Sequence, residues 1–232
     1  LAKVDAQQAR SLLPVYLSHP IWQVRMYAAR AAGASSDADI LVKLGRDEHD
    51  NVREAALGEL VRLKRPEAVD VALASLARDD YQLLLTSARA LHTAPDPERA
   101  TTALLSALER VTSQKRDTSR DPRMAMLDAV EALEVRKPDA LRPYVRDFDP
   151  AIARKAADLL QAWTGAAVTP QPQPLPIPPV RWADAVALRN VRLRFVMAGK
   201  GPFDLALLPD EAPLSALRVA TRAREGDYNG LT

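Results

Sequence analysis

The sequence predicts a mainly α-helical chain: an α-solenoid of about five helix pairs, a proline-rich linker, and then a β-hairpin followed by a helix. Three observations carry this expectation. One apolar pattern recurs between residues 6 and 165, six prolines fall within the twelve residues 169–180, and beyond them the apolar period switches to two. The expected divisions are a solenoid over 1–165, a linker over 166–183 and a final portion over 184–232.

The repeat is clearest in the second helix of each pair. "VRMYAARAA" starts at Val24, "VREAALGEL" at Val52, "LLTSARAL" at Leu84, "AMLDAVEAL" at Ala125 and "IARKAADLL" at Ile152. Val24 and Val52 lie 28 positions apart, and "SQKRDTSRD" lengthens the gap between the third and fourth copies. Val52, Ala56 and Leu60 stand at i, i+4 and i+8, which is one helical face. Alanine at its centre lets a neighbouring helix come close. Units of this kind bury their apolar faces only by stacking.

One device is expected at the helix starts. Asp96-Pro97, Asp121-Pro122 and Asp149-Pro150 each place a capping carboxylate before a proline at the first helical position. Pro20, Pro66 and Pro138 repeat its second half, and Ser36 with Asp39 has capping-box spacing. Gly33, Gly45 and Gly165 fit helix ends.

Composition agrees. A chain of 232 residues holds one large domain or two small ones. Hydrophobic residues are 47% but aromatics only 5%, so Ala and Leu, both good helix formers, carry the apolar load. There are no cysteines, which excludes disulfides and thiolate metal sites. The net charge of +2 comes from interleaved opposite charges. The densest cationic run, residues 113–123 ("SQKRDTSRDPR"), is interrupted by two aspartates and has no aromatic platform. It is read as a solvated loop, and no nucleic-acid partner is expected. No apolar run approaches the ~20 residues of a membrane-spanning helix. The chain begins at Leu1 rather than Met, as a processed or cut product does.

Chemistry is sparse in the helical part. His19, His49 and His92 are scattered without aligned carboxylates, so no metal is expected, and His19 and His49 fall at helix starts as caps or surface residues. Trp22, Trp163 and Trp182 are too far apart for a stacking box and suit packing. Asp79-Asp80 and Asp47-Glu48 are explained by helix ends. No phosphate loop or nucleophile elbow occurs. The expected catalytic, cofactor-binding and metal-binding residues are none, and no cofactor is required.

The prolines of 169–180 remove backbone donors and restrict their neighbours, so an extended strut of about 3.1 Å per residue is expected there. After it, "VRLRFVMA" and "FDLALL" read as two strands around a "GKGP" turn, and a helix should run from Pro213 to about Glu225, stopped by Gly226.

Two resemblances sharpen this picture. The pairs Val24-Arg25 and Val52-Arg53, with Asp50 before the second, make the first 160 or so residues resemble bacterial HEAT repeats; the last three copies lack the pair. The segment "FDLALLPDEAPLSALRVATRAREGDYNGLT" resembles, without gaps, the opening of the cyclophilin family of peptidyl-prolyl isomerases. Leu207, Pro209, Asp210, Ala212, Pro213, Ala223, Arg224, Glu225, Gly226, Tyr228, Asn229 and Gly230 carry the match. Arg218, Val219 and Arg222 depart from the family's Asn-Phe and apolar residue.

The second resemblance implies an eight-stranded closed β-barrel of which this chain holds the first hairpin and helix. Catalysis in that family rests on a Phe-His-Arg motif after the Tyr-x-Gly-Leu turn, its arginine weakening amide conjugation at the prolyl nitrogen. Thr232 is the last residue, so the motif is expected just beyond it, and the chain itself is expected to be an inactive fragment. The implied function is a peptidyl-prolyl isomerase whose solenoid binds or positions a proline-containing client protein. The alternative is a non-catalytic binding scaffold with a degenerate cyclophilin module. The combination has a bacterial character and favours an extracytoplasmic home over a cytoplasmic one.

Overall fold

The structure is a computed structural model that describes residues 5–176 and 181–230, and it falls into two compact units, Leu1–Leu175 and Pro176–Thr232. The first unit consists of α1 (Ala6–Tyr16), α2 (Trp22–Ala34), α3 (Ala38–Leu44), α4 (Asp50–Arg62), α5 (Ala68–Ser75), α6 (Tyr81–Ala90), α7 (Pro97–Ser113), α8 (Arg120–Ala132), α9 (Pro138–Leu141) and α10 (Pro150–Thr164). Short 3-10 turns at Asp117–Ser119 and Arg142–Arg146 precede α8 and α10.

Successive helices pair, and the second members stack in chain order: α2 on α4, α4 on α6, α6 on α8, α8 on α10. The result is solenoid-like. The contacts follow from the sequence pattern, because Val52, Ala56 and Leu60 are all fully buried. So are Ala29, Ala32, Ala88, Ala129 and Ala156, whose small side chains let adjacent helices meet at close range. Leu57, Leu83, Leu84, Leu104, Leu108 and Leu127 fill the space between in one continuous core.

The start signals divide. Asp96 and Asp149 cap α7 and α10, accepting from Arg99 N–H (3.0 Å) and Ala151 N–H (2.8 Å). Asp121-Pro122 is not a cap: α8 begins at Arg120, because the preceding 3-10 turn extends the helix one step upstream. Asp37, not Ser36, caps α3 through Ile40 N–H, while Ser36 takes a left-handed φ of 56°. Pro138 is the first residue of α9, whereas Pro20 and Pro66 fall before the capping residues Ile21 and Glu67.

The ends divide as well. Gly45 and Gly165 sit at helix C-caps, but Gly33 lies inside α2, where Arg62 on α4 donates to its carbonyl (2.9 Å). Left-handed residues that close α2, α4, α7 and α8 are Ser36, Lys64, Lys115 and Glu134. A side chain at such a φ is strained relative to glycine, so these ends carry no composition signal.

Two junctions between repeats are built alike. Arg25 in the first turn of α2 reaches Asp47, two residues before the α4 cap, with Nε and Nη2 at 2.7 and 2.9 Å from the carboxylate. Arg123 in the first turn of α8 reaches Asp147, two residues before the α10 cap, at 2.7 Å. Each aspartate also accepts from the N–H of the capping residue, His49 or Asp149. The junction between α4 and α6 reverses the charges. Arg78 occupies the aspartate's place and reaches back to Asp50 (2.7 Å), while Arg53 turns to the carbonyls of Asp47 and Arg46.

The second unit contains α11 (Trp182–Val186), β1 (Arg192–Met197), β2 (Gly201–Ala206) and α12 (Pro213–Glu225). The strands pair antiparallel, with Phe195 opposite Phe203 and Met197 opposite Gly201. The turn is thus residues 198–200, one step earlier than "GKGP", with Gly199 and Gly201 at positive φ. Helix α12 has the expected bounds and ends on Gly226 at φ 82°. Its core is small: Leu188, Leu207, Ala216 and Ala220 are buried, while Val196, Met197, Phe203 and Leu208 are half or more exposed.

Candidate interaction surface

The most developed surface feature lies at the C-terminal end of the helical stack. Pro143 lacks an N–H, so α9 cannot continue as a regular helix through it, and the chain tightens into the 3-10 turn Arg142–Arg146. That turn buries Tyr144 and leaves the carbonyls of Val145 and Asp147 available at the rim. The extended segment 166–175, which the sequence assigns to the linker, lies along this rim. Gln171 N–H donates to the Val145 carbonyl (2.8 Å) and Gln173 N–H to the Asp147 carbonyl (3.1 Å). Both partners advance by two residues in the same direction, which is the spacing of a parallel strand pair. Pro170, Pro172 and Pro174 alternate with the donors and bring no N–H that would need a partner. Pro170, Pro172 and Leu175 are partly covered, while the side chains of Gln171 and Gln173 are exposed.

The rim rests on a buried ion pair. Arg123 and Asp147 are both fully enclosed at their side chains. Arg123 also donates to the Ser119 carbonyl (3.3 Å) and lies 4.2 Å over the Phe148 ring. The run 113–123 is solvated only in its middle: residues 115–118 form an exposed turn, but α7 runs through Ser113, α8 begins at Arg120, and Arg123 is a core residue. A charge this deep is tolerated because Asp147, the hydrogen bonds at Nε and Nη1 and the Phe148 ring replace water, although Nη2 has no hydrogen-bond partner. Removing Asp147 would strand it.

Beside the strap lies a groove of about 740 Å³, lined among others by Leu105, Pro143, Tyr144, Phe148, Gln173 and Leu175. Lys115, Lys137 and Arg146 stand on its lining with Glu109. A second hollow of about 440 Å³ lies on the strap's other stretch, against Val145, Leu160, Val168, Thr169 and Gln171. Burial, with help from Glu109 and Asp147 and against the pull of Arg123, pushes the Tyr144 phenol up to about 12. The groove thus presents an apolar and aromatic wall with a neutral phenol, not a set of reactive groups.

The other residues singled out by sequence fall elsewhere. His19 and His49 accept at Nδ1 from Ile21 and Asn51 N–H, so both close helix starts. His49 also stacks on Trp22, with ring centroids 4.2 Å apart, a contact not legible in the spacing. Trp163 packs against the core, but Trp182 is 58% exposed and does not serve as a packing residue within its unit. Asp80 caps α6, Asp79 pairs with Arg110, and Asp47 and Glu48 both engage Arg25. Among the described residues, no group of three or more His, Asp or Glu side chains is placed to hold a metal ion, and no helix is long and apolar enough to cross a membrane.

In the second unit the segment from Leu207 to Gly230 has a defined local structure. Leu207 and Pro209 are buried, Asp210 pairs with Arg189 (2.6 Å), and Ala212-Pro213 opens α12. Tyr228 lies 5.8 Å from the Phe195 ring. Val219 packs on the small core, and Arg222 pairs with Asp227.

These features define a class: a mainly helical, solenoid-like protein of paired helices with a small antiparallel hairpin. Compared with known proteins, the chain matches no family model and no curated sequence.

Proposed function

We propose that this chain combines a HEAT-type solenoid with the opening of a cyclophilin-type domain, and that the solenoid binds or positions proline-containing client proteins for prolyl isomerisation. The observation that carries the reading is the ungapped run from Leu207 to Gly230. Support comes from its local geometry: a hairpin, the buried Leu207 and Pro209, a helix opened by Pro213 and closed by left-handed Gly226, and Tyr228 set on Phe195. Paired helices with Arg25–Asp47 and Arg123–Asp147 at their junctions suit the HEAT reading.

The chemistry proposed is electrostatic. A hydrogen-bond donor aimed at the prolyl nitrogen lowers the barrier of an X-Pro rotation that otherwise takes tens to hundreds of seconds. The sequence contains no Phe-His-Arg, so none of the residues named above is assigned to catalysis, and no cofactor enters. The complete protein should accelerate cis–trans exchange of a chromogenic X-Pro peptide. A complete product that leaves that rate at its spontaneous value removes the isomerase reading.

A second reading, a scaffold that recognises proline segments without catalysis, is favoured by Arg218 and Arg222 on α12. In that case the complete product binds proline peptides but does not speed their exchange.

A further inference from the structure

We propose that the rim at residues 145–147 is a docking site for an extended Pro-X-Pro-X segment of another polypeptide, and that the strap 169–175 is its resident occupant, displaced when such a segment binds. The strap shows the chemistry the rim accepts. Two alternate residues donate their N–H groups to rim carbonyls, Gln171 to Val145 and Gln173 to Asp147, and the residues beside them are prolines. The side chains of Gln171 and Gln173 are exposed, so recognition rests first on backbone and proline rings.

The receptor is anchored in the core, whereas its occupant lies on the surface. The Asp147 carboxylate is tied to buried Arg123 and to Asp149 N–H, which fixes the carbonyls that flank it. The strap, in contrast, runs between two hollows of about 740 and 440 Å³. Both hollows open to solvent, so the strap is held by its two backbone hydrogen bonds and the partial cover of Pro170, Pro172 and Leu175, not by an enclosing core. The larger hollow, with Tyr144, Phe148 and Pro143 on its wall, has the aromatic lining on which polyproline-II segments dock. Its lysines and Arg146 favour a segment with acidic residues among its X positions over the neutral strap.

A tethered occupant competes at an effective concentration of order millimolar, so an external segment of equal strength binds well only once the tether's contacts are weakened. Replacing Gln171 and Gln173 together by proline removes both donors while keeping the segment extended. In fluorescence anisotropy, a labelled Thr-Pro-Gln-Pro-Gln-Pro-Leu peptide should bind this variant about tenfold more tightly than the wild-type chain. A Thr-Pro-Pro-Pro-Pro-Pro-Leu peptide, which lacks the donors, should not bind. Equal affinity for variant and wild type, or equal binding of the all-proline peptide, overturns the proposal. So does a wild-type dimer that exchanges straps between copies and excludes the peptide. Should the double variant lose helicity, Leu175→Asp, which loosens the strap from the groove side, replaces it under the same criteria. The binding measurement needs no isomerase activity, and its failure would leave the reading of the second unit untouched.

Discussion

The first and last junctions of the helical stack use the same two residues in the same places and differ in their access to water. Arg25 and Asp47 retain 7% and 8% of side-chain exposure and share the arginine with Glu48 at 3.1 Å, whereas Arg123 and Asp147 retain none. At the first junction solvent and a second carboxylate can compensate the loss of a partner. At the last, neither water nor a second carboxylate is in reach. The lesson is that one sequence rule yields a nearly buried clamp with some access to water at one end of the stack and a fully enclosed one at the other.

The largest effect should come from breaking the buried pair. Arg123→Ala leaves Asp147 without its cation and should destabilise the first unit by on the order of 3–5 kcal/mol in urea titration. Arg123→Met with Asp147→Leu removes both charges and should recover most of that loss. A double variant as unstable as the single one would mean that the turn geometry at 147–149, rather than charge burial, sets the cost.

Arg25→Ala should cost less, about 2–3 kcal/mol, because Asp47 has some access to water, the capping N–H being kept at both junctions. Equal losses at the two junctions would erase the distinction drawn between them.

Acid should sharpen it. Burial pushes the Asp47 carboxyl up, but hydrogen bonds from Arg25 and from His49 N–H outweigh this and hold it below its usual value. Asp149 behaves likewise through Arg120 and Ala151 N–H. A carboxyl lowered in the folded state stabilises at pH above its unfolded value of about 4, and that contribution disappears as pH falls through the lower folded value. Melting temperatures between pH 6 and pH 2.5 should therefore drop more steeply for wild type than for Asp47→Asn, which starts lower and changes less. Parallel curves would contradict this.

The smallest effect is expected on the hairpin. Arg194 and Asp204 pair across the strands at 2.8 Å but are open to solvent, where such pairs contribute little and are screened by salt. Arg194→Ala should leave the thermal midpoint of the chain unchanged within error. A clear drop would show that the second unit depends on this pair.

Much of this was legible beforehand, and the exceptions have physical causes. The second helices announce themselves because a buried helical face forces apolar residues to i, i+4 and i+8, as at Val52, Ala56 and Leu60. Asp96 and Asp149 are readable because a carboxylate before proline suits a helix start, whereas at Asp121-Pro122 the preceding turn extends the helix upstream and overrides that signal. The ends closed by Ser36, Lys64, Lys115 and Glu134 are not, since packing there imposes a left-handed φ on residues that do not prefer it. Arg123 was hidden by the charges around it. Its signal is the echo of Arg25-Met26 in Arg123-Met124, and of Asp47-x-His49 in Asp147-x-Asp149. The rim escaped notice for a similar reason. Prolines were counted, but their strict alternation with Gln171 and Gln173 is what aligns the donors with two carbonyls.

That alternation also bears on how the chain avoids aggregating. An extended segment freed from its seat would ordinarily be a template for amyloid growth, because unpaired N–H groups on both edges recruit further strands. Residues 169–176 carry proline at every second position, so one edge has no donors at all and cannot propagate a sheet. The segment can leave its rim and return without becoming a seed. Its composition makes it safe to expose.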